Sequence, residues 1–65
     1  MDEETFNLSL RKFLKMVGVN SQREIEQAVA KSGAAAGNGP LKASMTLEIA
    51  ELDLKVKFDG DIKLG

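Results

Sequence analysis

The side chains that carry out most protein chemistry are missing from this sequence. Its 65 residues include no histidine, cysteine, tryptophan or tyrosine. Disulfides, thiolate or histidine metal sites, cysteine nucleophiles and histidine acid–base mechanisms are therefore excluded. A chain of this length also has little volume in which to shape a pocket of several hundred Å³. We therefore expect a protein that is not an enzyme.

Two clusters of carboxylates are the remaining candidates for metal chemistry. Asp59-Gly60-Asp61 starts like a calcium loop, but an EF-hand spreads its ligands over twelve residues and ends in a glutamate, so a plain turn explains the motif better. Asp2-Glu3-Glu4 offers oxygen ligands, yet acids at this position also stabilise the positive end of a following helix. The sequence therefore predicts no metal and no cofactor.

The most informative surface pattern combines basic residues with one leucine. On a helix these residues fall at i, i+3, i+4 and i+7, opposite the apolar side: Leu8, Arg11, Lys12 and Lys15. A solvated helix face with one stray leucine is the simpler interpretation. The functional interpretation is a docking face for an acidic partner protein. Three charges and one leucine are too few for stable membrane binding, so no membrane partner is predicted.

The segment Gly18-Val19-Asn20-Ser21 supports a different function. A glycine turn followed by an apolar residue and a capped second helix is typical of a DNA-binding helix-turn-helix. Three side chains would then face the bases: Gln22, Arg23 and Gln27. However, Glu24 and Glu26 would repel phosphate, so weak nucleic-acid binding is only the alternative function.

Two helices are predicted to position these residues. One apolar stripe at helical spacing indicates a helix over about residues 3–17, with Gly18 placed to close it: Phe6, Leu10, Phe13, Leu14 and Val17. Ser21 and Glu24 match a capping box and predict a second helix over about 21–32. Its apolar face is narrow, so it needs packing against the first helix.

The hydrophobic period changes after residues 33–40, Gly-Ala-Ala-Ala-Gly-Asn-Gly-Pro, which we interpret as a flexible loop. Apolar residues then alternate at odd positions over 41–49 and at even positions over 52–58. A two-residue turn at Ala50-Glu51 explains this change and pairs residue 49 with 52. Asp59-Gly60 indicates a further turn, which makes residues 62–64, with Ile62 and Leu64, a candidate third strand.

Together these elements predict one α+β domain over residues 1–65. Two N-terminal helices would pack on one face of a small antiparallel hairpin or three-stranded meander. An uncovered edge of that sheet offers self-association as a second kind of interaction.

The charge balance favours no particular partner. Nine basic and ten acidic residues leave a net charge of −1, which attracts neither nucleic acid nor a membrane surface strongly. Nothing resembles a signal peptide, a lipidation site or a membrane span, so a cytoplasmic location is expected. By elimination, we interpret the chain as a small soluble interaction protein with an unidentified protein partner.

Several motifs resemble those of a small family of uncharacterised bacterial proteins of about 65–70 residues, a domain of unknown function. The resemblance covers most of the chain and rests on residues 1–15 and 17–26, on Met45-Thr46-Leu47, on Leu52-Asp53-Leu54 and on Phe58-Asp59-Gly60. It implies a bacterial, stand-alone, soluble protein. It transfers no activity and no site residue, and the loop over 33–40 contributes nothing to it.

Overall fold

A computed structural model describes residues 1–32 and 39–64 of the chain. Two units follow one another along the sequence. The first contains helix α1, Glu3–Ser32, and the second contains strand β1, Leu41–Ile49, a 3-10 turn, Ala50–Leu52, and strand β2, Leu54–Ile62. Most of the predicted flexible loop, residues 33–38, lies outside the described residues.

Helix α1 begins at a side-chain cap that the acidic N-terminus supplies. The backbone N–H of Glu4 donates to Asp2 Oδ1 at 3.1 Å, and Thr5 Oγ1 donates to Asp2 Oδ2 at 2.6 Å. The carbonyl of Asp2 accepts the backbone N–H of Phe6 at 3.0 Å. Asp2 therefore acts as the N-cap and satisfies a donor that the first turn would otherwise leave free.

The prediction of two helices was wrong, because α1 runs without a break through Gly18 and Ser21 as one helix of 30 residues. Ending one helix and starting another would leave up to four carbonyls and four N–H groups without helical partners. Keeping Gly18 in a helix interior costs only about 1 kcal/mol relative to alanine. The residues after Ser21 are mostly good helix formers, so continuing the helix is the less costly choice.

The hairpin has the predicted antiparallel direction but a different register. Ile49 pairs with Leu54, where the sequence predicted residue 52. The loop therefore holds four residues, and it closes with the N–H of Asp53 donating to the carbonyl of Ala50 at 3.1 Å. Asp53 has φ 51° and ψ 39°. A two-residue turn at Ala50-Glu51 would require positive φ at residues that resist it, whereas aspartate tolerates the left-handed region.

Moving the register by two residues leaves every side chain on its predicted face. One face carries Leu41, Ala43, Met45, Leu47 and Ile49 of β1 opposite Ile62, Gly60, Phe58, Val56 and Leu54 of β2. The other face places Glu48 opposite Lys55 and Lys42 opposite Asp61. The pairing of residue 49 with 52 would have placed Glu48 opposite Asp53, a pair of like charges. The observed register has two pairs of opposite charge instead.

No third strand exists among the described residues, so the three-stranded option was wrong. Ile62 is the last residue of β2 and pairs with Leu41, and Leu64 follows the end of that strand. The predicted turn at Asp59-Gly60 lies inside β2, opposite Ser44 and Ala43. The longer hairpin loop moves the partner of each β1 residue by two positions, which draws Asp59 and Gly60 into the ladder.

No described residue of either unit is buried. Phe6 is 49% exposed and Phe13 is 45% exposed, and several aliphatic side chains are similarly open. A two-stranded hairpin alone is marginally stable at best, and a helix in a protein is stabilised mainly by packing of its apolar face. The described fold therefore has large apolar surfaces available for contact.

Candidate protein-docking face

All four residues predicted to form a docking face lie on α1. Their spacing of i, i+3, i+4 and i+7 brings them to one side of the helix, the side opposite the apolar stripe: Leu8, Arg11, Lys12 and Lys15. We refer to these four residues as the docking face. Each is exposed, and the side chain of Leu8 is 62% exposed.

The docking face carries three positive charges within two helical turns. Among the described residues, the ion pair that forms joins Lys57 Nζ to Asp59 Oδ1 at 3.8 Å, in the hairpin. Within that same part of the chain, no carboxylate neutralises Arg11, Lys12 or Lys15. A basic patch with an exposed leucine at its N-terminal end can pair with carboxylates of a partner while Leu8 enters an apolar contact.

The continuous helix adds a residue that sequence reasoning missed. Val19 lies eleven residues after Leu8 and falls on the same side of α1, because eleven residues make almost three whole turns. It is 50% exposed. The prediction ended the first helix at Val17, which placed Val19 in a turn. The helical spacing could have identified this residue, because Val19 lies eleven residues after Leu8 and four residues after Lys15.

Farther along this side of α1, Arg23 is followed by the acid Glu26, so the two charges there balance. Gln22 Nε2 donates to Glu26 Oε2 at 3.2 Å, which holds the Glu26 carboxylate along the helix surface. The basic patch is thus confined to the N-terminal half of α1. A partner surface matched to it would be acidic over a length of about 10 Å, the rise of seven helical residues.

Ser9 and Lys12 have the spacing of a Ser-x-x-Lys motif, which sequence reasoning did not register. The Ser9 hydroxyl donates to the carbonyl of Phe6 at 2.9 Å, and both Ser9 and Lys12 are exposed. In that motif the lysine activates the serine, which requires the two side chains to meet. The hydroxyl is instead directed to the backbone of its own helix.

Residues 22–27 lie in the middle of α1, where the helix-turn-helix interpretation placed the start of a recognition helix. That interpretation depended on a turn at Gly18-Val19-Asn20-Ser21, and these residues are helical. The motif requires two helices that cross at a large angle. The comparison with a helix-turn-helix was therefore wrong in its structural premise.

Both strands of the hairpin have a free edge within the described residues, since the sheet there consists of β1 and β2 alone. Self-association through a strand edge remains a prediction. Lys42 on β1 and Lys55 and Lys57 on β2 work against it, because charged side chains on an edge strand discourage pairing with another chain. Within residues 1–32 and 39–64, no helix combines the length and apolar character needed to cross a membrane.

Comparison with known proteins identifies the family. The model of a family of unknown function, DUF6494, matches residues 1–65. The chain belongs to DUF6494. No curated protein matches it, and no solved structure does.

Membership in DUF6494 confirms the resemblance to a domain of unknown function that the motifs indicated. The match extends over both units and includes residues 33–40. The family description assigns no activity, so the functional interpretation of this DUF6494 protein rests on the geometry and charge of its own surfaces.

Proposed function

We propose that this DUF6494 protein is a non-enzymatic protein-interaction module of the bacterial cytoplasm. Its docking face binds an acidic surface of a partner protein. The observation that carries the proposal is the combination of an exposed Leu8 with three cations on one side of an unbroken helix. Leucine supplies apolar contact area, and the cations supply orientation and a faster encounter with an acidic surface.

Charge reversal on the docking face tests the proposal. The docking variant replaces Leu8 by alanine and Arg11 and Lys15 by glutamate. All three positions are exposed, so the helix has no packing to lose there. The matched control reverses two other exposed cations, Arg23→Glu and Lys63→Glu, and so makes the same change in net charge.

Both variants and the unchanged protein are tagged and recovered from the native cell, with and without nuclease. We expect an acidic protein to be retained after nuclease treatment by the unchanged protein and by the control, and to be lost from the docking variant. Equal retention by the docking variant would contradict the proposed face. Partners that disappear on nuclease treatment would indicate a nucleic-acid-dependent function instead.

A further inference from the structure

A second surface of α1 lies opposite the docking face and runs almost the whole length of the helix. Its apolar and small residues are Phe6, Leu10, Phe13, Leu14, Val17, Ser21, Ile25 and Ala28, and we refer to them as the apolar stripe. Glu24, eighteen residues or five turns after Phe6, lies on the same side and interrupts the stripe. Phe6, Val17 and Ala28 are spaced by eleven residues, as are Leu14 and Ile25. Because eleven residues make nearly three turns, the stripe stays on one side of a straight helix.

The side chains of the apolar stripe are accessible within the helical unit taken by itself. Leu10 and Leu14 are exposed, as are Phe6 and Phe13, and Val17 is half-buried. A helix of 30 residues is about 45 Å long and about 10 Å wide. Contact along that length is of the same order as the roughly 800 Å² per partner of a specific protein interface. A strip of about 45 by 10 Å is about 450 Å² per partner, a little over half of that value, so the stripe supports a concentration-dependent association.

The sizes of the side chains along the stripe are complementary to the same stripe running in the opposite direction. Phe6 and Ala28 each lie eleven residues from Val17, and Phe13 and Ser21 each lie four residues from it. If two α1 helices pack antiparallel and meet at Val17, each phenylalanine lies opposite a small residue, and Leu10 lies opposite Glu24, seven residues beyond Val17. Such alternation of large and small residues allows close packing.

The charges at the two ends of α1 favour the same arrangement. The first turn holds Glu3 and Glu4, preceded by Asp2, and the last turn holds Lys31. Glu3 and Lys31 each lie fourteen residues from Val17, so an antiparallel copy places Lys31 beside the acids. A parallel copy would instead bring the two acidic ends together and align the helix dipoles unfavourably.

We propose that two copies of this chain associate through the apolar stripe, with their α1 helices antiparallel and centred on Val17. This contact uses different residues from the docking face and does not depend on the proposed function. It leaves both docking faces on the outside of the pair. A partner with two acidic sites would then bind with increased avidity.

Sedimentation equilibrium over a wide concentration range tests the association. The unchanged protein should reach twice the chain mass of 7.0 kDa. Val17→Glu should be monomeric because it places two carboxylates face to face, and so should Val17→Lys. An equal mixture of the two variants should restore the doubled mass. Arg23→Glu, on the other side of α1, should leave the dimer unchanged.

The direction of the helices is tested by cross-linking, which the absence of native cysteine makes simple. Glu3→Cys and Lys31→Cys chains should form a disulfide with each other when mixed, and neither should do so alone. A chain that stays monomeric at every concentration would overturn the proposal. A dimer that persists in Val17→Glu, or a disulfide between two Glu3→Cys chains, would overturn it as well.

Discussion

Replacing Gly18 by alanine distinguishes one continuous helix from two helices joined by a turn. In the structure Gly18 lies inside α1, and a Cβ built on it meets no heavy atom within 4 Å other than the adjoining residues and the backbone of its own helix. Alanine therefore adds helix propensity without a clash. We expect the free energy of unfolding to rise by about 0.8–1.0 kcal/mol. For a chain of this size that corresponds to an increase in melting temperature of about 4–8 °C.

If Gly18 instead ended a helix in the left-handed region, alanine would lower stability by about 1–2 kcal/mol. The two arrangements therefore predict opposite signs. The assay is thermal and urea unfolding followed by far-UV circular dichroism, at one chain concentration for all variants. Ser21→Ala is a companion variant, because it improves a continuous helix slightly but removes the cap of a separate one. A destabilised Gly18→Ala protein would refute the continuous α1.

Three further predictions concern local contacts. Glu48→Lys should lower stability by up to about 1 kcal/mol in urea unfolding, and adding Lys55→Glu should restore it, since these residues are paired across the hairpin. Asp53→Val should cost about 1–2 kcal/mol in the same assay, because Asp53 has φ 51°. The Thr5 hydroxyl, followed by the Glu4 N–H, lowers the pKa of the Asp2 carboxyl below 3.8. An NMR titration should show the pKa of Asp2 rising toward 3.8 in Thr5→Val.

The sign of the Asp2 contribution to stability follows from that shift. The pKa of Asp2 is lower in the folded state than in the unfolded chain, so the ionised carboxylate stabilises the folded state. This stabilisation is complete above about pH 3.8. The effect is lost as the pH falls through the lower folded pKa. A titration in which Thr5→Val leaves the pKa of Asp2 unchanged would show that the hydrogen bond from the Thr5 hydroxyl to Asp2 does not form in solution.

The local patterns in the sequence were sufficient to predict which residues share a face of each helix or strand. The alternation over residues 41–49 predicted β1 with the bounds that the structure shows. Helical spacing alone placed the docking face on one side of a helix. These predictions succeed because each depends on the period of one element and on nothing outside it.

The errors arose where a local signal competed with the backbone of its neighbours. Gly18 and the Ser21-Glu24 pair are valid signals for a helix end and a helix start, but the hydrogen bonds of an uninterrupted helix outweigh both. The hairpin loop was predicted too short because pattern alone cannot distinguish registers that differ by two residues. Val19 was missed as a neighbour of the docking face for the same reason that the helix was ended too early.

Site-specific photo-cross-linking in the native cell tests the docking face most directly. A photoreactive amino acid replaces Leu8 in one version of the protein and Gln27, which is also exposed and lies about 100° farther round α1, in a matched version. We predict that the Leu8 version captures an acidic protein and that the Gln27 version does not. Capture of the same protein from both positions, or of nucleic acid from Leu8, would contradict the proposal that this face binds an acidic partner protein.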